Sequence, residues 1–297
     1  MHYFFDSITT FNKIKTKKAS LQRNPNNQNS HRSEYIYKEA DGGLFQRVAV
    51  RTRPGTVALA AAIQHKYNIT AVPHIICSGF SKAEIEYSLI DLNFLGINDL
   101  LLLRGDKAKH EMRFVPEPDG HAHAIELQSQ VNDFNKGFFI DGSQAAINTP
   151  FSYGVAGYPE KHDEAPNIEQ DLKRLKDKVD NGADYVVTQM FFDNSKYFEF
   201  VERCREIGIT VPIIPGLKPL STARQVTMLP ESFSLDIPVE LTDAIAKAKD
   251  DKEAVYRIGT EWCAMQCKDL ISNGVPAVHF YTMGKSRNIV EILRECF

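Results

Sequence analysis

From about residue 54 to the C-terminus, short apolar runs alternate with amphipathic stretches, and each run exits into a polar or glycine-containing segment. A brief run of continuous hydrophobicity is what a strand buried on both faces requires. Such strands separated by helical periods imply a parallel sheet with helices outside it. After residue 70 the strands read as 70–76, 98–103, 153–157, 184–190, 211–216 and 276–281. One helix runs from Pro54 through Ile63, and a second opens on a Ser81/Glu84 capping box, carries Ile85, Leu89, Leu92 and Leu95, and stops at Gly96. Further helices are predicted near 124–135, 167–181, 195–206, 238–249, 252–273 and 285–295.

A doubly wound sheet that held a dinucleotide would carry a glycine-rich first turn, and neither G-x-G-x-x-G nor a P-loop occurs. A closed barrel accounts for the pattern better. The predicted class is α/β, a (β/α)8 TIM barrel whose first strand–helix unit is not legible. At 297 residues the chain is long enough for a single barrel of ~250 residues.

Residues 1–33 differ from everything after them. They hold Lys13, Lys15, Lys17, Lys18, Arg23 and Arg32 against one acid, Asp6, and the tract 24–29 is a poor strand former. A short strand at His2-Tyr3-Phe4-Phe5 and a basic helix over 8–22 are the readings available there. The expected organisation is an atypical segment, 1–29, open to being disordered, followed by one barrel domain, 30–297.

A net charge of −3 with 25% charged residues argues for neither a nucleic-acid partner nor a polybasic membrane anchor. No apolar run reaches the ~18 residues that span a bilayer, and the first residues lack the basic-then-apolar order of a secretory signal. A cytoplasmic location is the expectation. Cys77, Cys204, Cys263, Cys267 and Cys296 are scattered without metal-type pairing, which suits small buried residues in a reducing compartment. His121 and His123 alternate as a strand pair of ligands would, yet no carboxylate or cysteine lies at a companion spacing, so no metal is expected.

Arg104-Gly105-Asp106 follows the run 99–103, at the carboxyl end of a buried strand, where a barrel keeps its chemistry. Gly105 lets the backbone approach a ligand with no Cβ in the way. An ordinary polar turn is the alternative for this segment alone.

The motifs Pro73-His74-Ile75-Ile76-Cys77, Leu103-Arg104-Gly105-Asp106, 156–162 (AGYPEKH), 188–193 (TQMFFD), Ile214-Pro215-Gly216 and His279-Phe280-Tyr281-Thr282 together resemble the methylenetetrahydrofolate reductases. The resemblance runs from roughly residue 30 to the C-terminus. It implies a flavoprotein barrel, bacterial in type, that passes hydride from NADH or NADPH to FAD and on to 5,10-methylenetetrahydrofolate, giving 5-methyltetrahydrofolate for methionine synthesis. It also implies a small-molecule folate substrate and a homo-oligomer.

By the same resemblance, Ser30, His31, His74, Arg104, Gly105, Asp106, Ala124, Ala156, Tyr158, His162, Ala165, Asp171 and Lys178 fall at FAD-contacting positions. Lys178 would serve the pyrophosphate and Asp171 a ribose hydroxyl, although a solvated charged stripe also explains two residues seven apart on one helix. Asp106 would lie beside the flavin, tuning its electronics and meeting the folate. Gln189, Gln225, Leu229 and Lys285 fall at folate-contacting positions, with Arg287 a competitor for the last. A buried amide at Gln189 offers a pterin edge both donor and acceptor.

One element of the family pattern is missing. Its first strand carries a glutamate that acts as general acid on the folate, whereas the first glutamate here is Glu34, beyond where the second strand should end. Tyr3-Phe4-Phe5 shares the aromatic character of that strand, and Asp6 is the sole nearby acid. A frame or start-site difference upstream of residue 30 would explain the change in composition. The chain as written is therefore expected to accept hydride from NADH yet reduce folate poorly. A non-catalytic flavin- or folate-binding homologue, and an unrelated barrel lyase or aldolase, are the alternatives.

Overall fold

The computed structural model describes the backbone of Ser7 and Ile8, and residues 54–107 and 113–297. The expectations for His2–Phe5, the helix over 8–22, Asp6, Ser30, His31 and Glu34 lie outside the described residues. Among those residues no helix is long and apolar enough to cross a membrane.

In chain order the elements are β1 (Ser7–Ile8), α1 (Thr56–Ala61, continued by a π-helical turn Ala62–Lys66), β2 (His74–Ile76), α2 (Lys82–Phe94), β3 (Asp99–Leu103), α3 (Ala124–Asn135), β4 (Ser152–Gly157) and α4 (Ile168–Asp180). There follow β5 (Tyr185–Met190), α5 (Asn194–Glu206), β6 (Ile213–Leu217), α6 (Gln225–Phe233), α7 (Val239–Lys247), α8 (Lys252–Ser272), β7 (His279–Tyr281) and α9 (Arg287–Cys296). Strands β2 to β7 lie side by side in sequence order and pair in parallel. This is the βα repeat expected from the alternating pattern.

The eight-stranded barrel is only partly formed by these residues. They make a curved, barrel-like arc of parallel strands, and β1 is added at one end antiparallel to β7, with Ser7 opposite Tyr281. Strands β2, β6 and β7 start later than expected. Pro73 and Pro212 stand immediately before β2 and β6, and a proline has no N–H for the ladder. Each still offers a carbonyl, accepting the N–H of Leu101 at 3.1 Å and of Val186 at 2.9 Å.

Alternation along the strands separates two cores. Leu100, Leu102, Val155, Val186 and Ile213 pack outward against Ile85, Leu89, Leu127, Leu172 and their helical neighbours. Leu101, Leu103, Val187 and Ile214 point the other way and fill the interior with Ile76 and Ala156. The capping box that opens α2 is present as expected, with Ser81 N–H donating to Glu84 Oε2 at 2.9 Å while the Ser81 hydroxyl accepts from Glu84 N–H.

Candidate active site

Inward-facing side chains of β2, β3, β4, β5 and β7, with Tyr158 just after β4, converge on a narrow depression of about 10 Å³, lined by His74, Leu101, Leu103, Ala156, Tyr158, Val187, Gln189 and Tyr281. Its walls are apolar aliphatic side chains and its polar groups come from separate strands. That combination suits a flat ring with hydrogen-bonding edges. Tyr281 is fixed by donating its hydroxyl to the Thr188 carbonyl at 2.7 Å. Gln189 accepts the Met190 N–H on Oε1 at 2.9 Å, and its amide nitrogen makes no hydrogen bond among the described residues.

His279 lies against Tyr281, ring centroids 4.9 Å apart and edge-on, and is buried with neither ring nitrogen hydrogen-bonded among the described residues. Burial, reinforced by neighbouring His74, holds its pKa at about 3, and burial alone holds His74 at about 4. Both imidazoles are therefore neutral at physiological pH.

The Arg104-Gly105-Asp106 turn is pinned to the end of β2. Cys77 and Ser78 donate their N–H groups to the Arg104 carbonyl at 3.1 and 2.9 Å, and Ser78 Oγ donates to the Asp106 carbonyl at 3.0 Å. Gly105 has φ +82°, and a Cβ built there would sit 2.8 Å from the Ser78 Cβ, so glycine is required twice over. Arg104 lies 4.9 Å over the Phe114 ring and donates from both terminal nitrogens to Glu164, one at 2.9 Å. Asp106 is exposed at the rim, and desolvation by the surrounding protein raises its pKa to about 6, against the pull of Arg104 and with a push from Asp163.

After β4 the chain folds over the same end. The Tyr158 and His162 rings meet edge-on at 4.6 Å. His162 donates its N–H to Asp171 at 2.9 Å and accepts from Ala165 N–H at 3.0 Å, which buries Ala165. Lys178 Nζ donates to the Ala156 carbonyl at 2.6 Å, and burial lowers its pKa to about 8, with Asp171 opposing. Asp171 and Lys178 are thus turned inward toward the β4 loop and do not form a solvated stripe.

A second, wider depression of about 210 Å³ shares Tyr281 with the first and holds Gln225 and Lys285, together with Lys218, Arg224, Thr282 and Asn288. Gln225 Oε1 accepts from Ser221 and Thr222 N–H at 2.7 and 3.1 Å. Leu229 is buried among Met190, Phe192 and Leu220 beneath this region. Arg287 points away, paired with Glu253 and Glu291. Ala124 is the first residue of α3, and Ser30 and His31 lie outside the described residues.

The sequence places His279 and Tyr281 within a family motif but gives neither a role in the site, and it does not mark Glu164. The first two stand two residues apart on β7 and share its inward face, a period-2 signal readable once β7 is placed. Glu164 belongs to an irregular loop, where no periodicity marks it. His121, weighed as a ligand, is buried with Nε2 2.6 Å from Gln130 Oε1, and among the described residues no group of three or more His, Cys, Asp or Glu could hold a metal.

Residues 43–296 match the methylenetetrahydrofolate reductase family. The chain belongs to that family. A probable methylenetetrahydrofolate reductase (NADPH) of Caenorhabditis elegans is 34% identical over 80% of this chain and 34% of its own length. Methylenetetrahydrofolate reductase (NADH) 1 of Arabidopsis thaliana is 31% identical over 80% of this chain and 40% of its own. The 5,10-methylenetetrahydrofolate reductase of Escherichia coli is 30% identical over 79% of this chain and 72% of its own. The chain spans little more than a third of the length of the eukaryotic relatives and most of the bacterial one.

Proposed function

We propose that this chain reduces 5,10-methylenetetrahydrofolate to 5-methyltetrahydrofolate with FAD and NADH or NADPH, in the cytoplasm and in support of methionine synthesis. The observation that carries this reading is the convergence of His74, Ala156, Tyr158 and Gln189 on one apolar depression beside Arg104-Gly105-Asp106. These are residues at which family membership predicts flavin and folate contacts.

The residues fit FAD. Leu101, Leu103, Ala156 and Val187 offer a flat apolar seat, and the missing Cβ of Gly105 keeps the approach open. Lys178 is a half-buried ammonium whose hydrogen bond among the described residues goes to a neutral carbonyl, so a pyrophosphate would supply a charge-matched acceptor. Asp171, Tyr158, His162 and Ala165 would hold the rest. When bound, FAD supplies the two-electron chemistry that links nicotinamide to folate.

The chain's own groups then have separate tasks. The Gln189 amide nitrogen, without a partner among the described residues, is offered to a pterin edge, and Tyr281, which lines the seat, is oriented by its hydrogen bond to the Thr188 carbonyl. The aliphatic walls exclude water. With a pKa near 6, Asp106 can hold or release a proton at its carboxyl near neutrality, and its charge beside a ring disfavours added negative charge there. Gln225 and Lys285, in the adjoining depression, would receive the part of the folate that extends past Tyr281.

The reading is tested by loading the purified chain with FAD and adding NADH without oxygen. Oxidised-flavin absorbance should bleach, and Lys178→Ala should weaken FAD retention by at least about 10-fold, the loss of a charge-assisted contact. Unchanged FAD affinity in that variant would remove Lys178 from the site.

A further inference from the structure

The segment that follows β4 carries more than the flavin-side groups Tyr158, His162 and Ala165. Between them, Glu160 is half-buried and accepts the Asp236 N–H on Oε2 at 2.7 Å, a contact across 76 residues. Asp236 lies in the connector between α6 and α7. Ser234 opens that connector in a left-handed conformation, φ +50°, with its N–H on the Pro230 carbonyl at 3.0 Å, and Leu235 is buried among Met190, Phe192 and Leu229. Across the contact, Lys161 stands at φ +119°, where residues other than glycine are rarely found, and its Nζ donates to the Ala165 carbonyl at 2.7 Å. Such a backbone persists only where its surroundings over-determine it, and the Glu160 and Lys161 side chains both tie this segment down.

We infer that Glu160 is a positioning residue: through the Asp236 N–H it sets helix α6, which carries Gln225 and Leu229, against the segment that carries Tyr158 and His162. This role rests on the proposed function, in which the first pair meets folate and the second meets FAD. Neither Glu160 nor Asp236 lines either depression, so the tie acts through the backbone. The charged groups that face Glu160 among the described residues are Asp236 itself, and Asp193 and Lys196 at the start of α5. Burial is the largest influence and raises the Glu160 pKa to about 7, while the Asp236 N–H and Lys196 lower it and the carboxylates of Asp236 and Asp193 raise it. The carboxyl is therefore mostly ionised at pH ~8 and mostly neutral at pH ~6. An ionised acceptor makes a hydrogen bond about twice as strong as a neutral one, so the tie tightens as pH rises through that range.

Isothermal titration calorimetry of 5-methyltetrahydrofolate into the FAD-loaded full chain, at pH ~6 and ~8, tests this. Glu160→Ala removes the acceptor and should weaken binding at least about 5-fold at pH ~8 with the flavin spectrum unchanged. Glu160→Gln keeps an acceptor that does not titrate. It should bind as the unaltered chain does at pH ~6 and lack the roughly 3-fold tightening that the unaltered chain gains by pH ~8. Both chains share the titration of Asp106, so the difference between them isolates Glu160. An alanine variant that binds as tightly as the unaltered chain overturns the inference, as does a glutamine variant that keeps the full pH step or binds as weakly as the alanine one. Those results leave the proposed function standing, whereas failure of the unaltered FAD-loaded chain to bind 5-methyltetrahydrofolate at all removes that function and this role with it.

Discussion

At the residue scale the site is set by where charge is and is not tolerated. Asp106 sits at the rim with a pKa of about 6, beside an arginine already committed to Glu164. Asp106→Asn removes the negative charge next to the flavin seat and should retain FAD while slowing the folate half-reaction more than the NADH half-reaction. Stopped-flow traces of the two halves separate these, and equal slowing would assign Asp106 a purely structural part. His279 and His74 are neutral in the folded state, with pKa values near 3 and 4 against about 6.5 when unfolded. The unfolded chain therefore binds more protons below pH ~6.5, and stability is lost as pH falls from there toward the folded values. His279→Leu should remove about 2 kcal/mol of the stability difference between pH ~7.5 and ~5, since each pKa unit is worth about 1.4 kcal/mol. Urea denaturation at the two pH values measures it, and an unchanged difference would mean that His279 is not buried as a neutral ring.

At the element scale the turn after β3 holds the site together. Gly105→Ala forces a left-handed backbone on alanine and drives a methyl toward Ser78, so it should cost about 1–3 kcal/mol and loosen Asp106 with it. Thermal unfolding with and without FAD would register both effects. Most elements were legible because they obey simple periods. Helix α2 follows from Ser81 and Glu84, and β3 and β5 follow from runs buried on both faces. Helix α6 was not foreseen: it spans only Gln225–Phe233 and contains Pro230, which reads as a break in any helical pattern. Gln225 and Leu229 were assigned through family motifs, without a helix to carry them. The starts of β2 and β6 were misplaced because apolar residues continue past the proline where hydrogen bonding begins. Pairings such as Arg104 with Glu164, 60 residues apart, leave no local trace in sequence at all.

At the scale of the whole molecule, a parallel arc of strands gathers side chains from widely separated sequence motifs at one end. That gathering is what turns a set of family motifs into a candidate reductase. A first strand without the family's glutamate, as the sequence predicts, would bear on rate and not on flavin binding, since a positioned general acid is typically worth ~10²–10⁴-fold. The most direct measurement follows the flavin of the FAD-loaded chain, without oxygen, through NADH or NADPH and then 5,10-methylenetetrahydrofolate. Bleaching by the nicotinamide, then recovery of the oxidised spectrum on adding folate at a rate at least about 10²-fold below that of bleaching, is the predicted result. A chain that binds no FAD, or whose bound FAD responds to neither nicotinamide, would contradict the account.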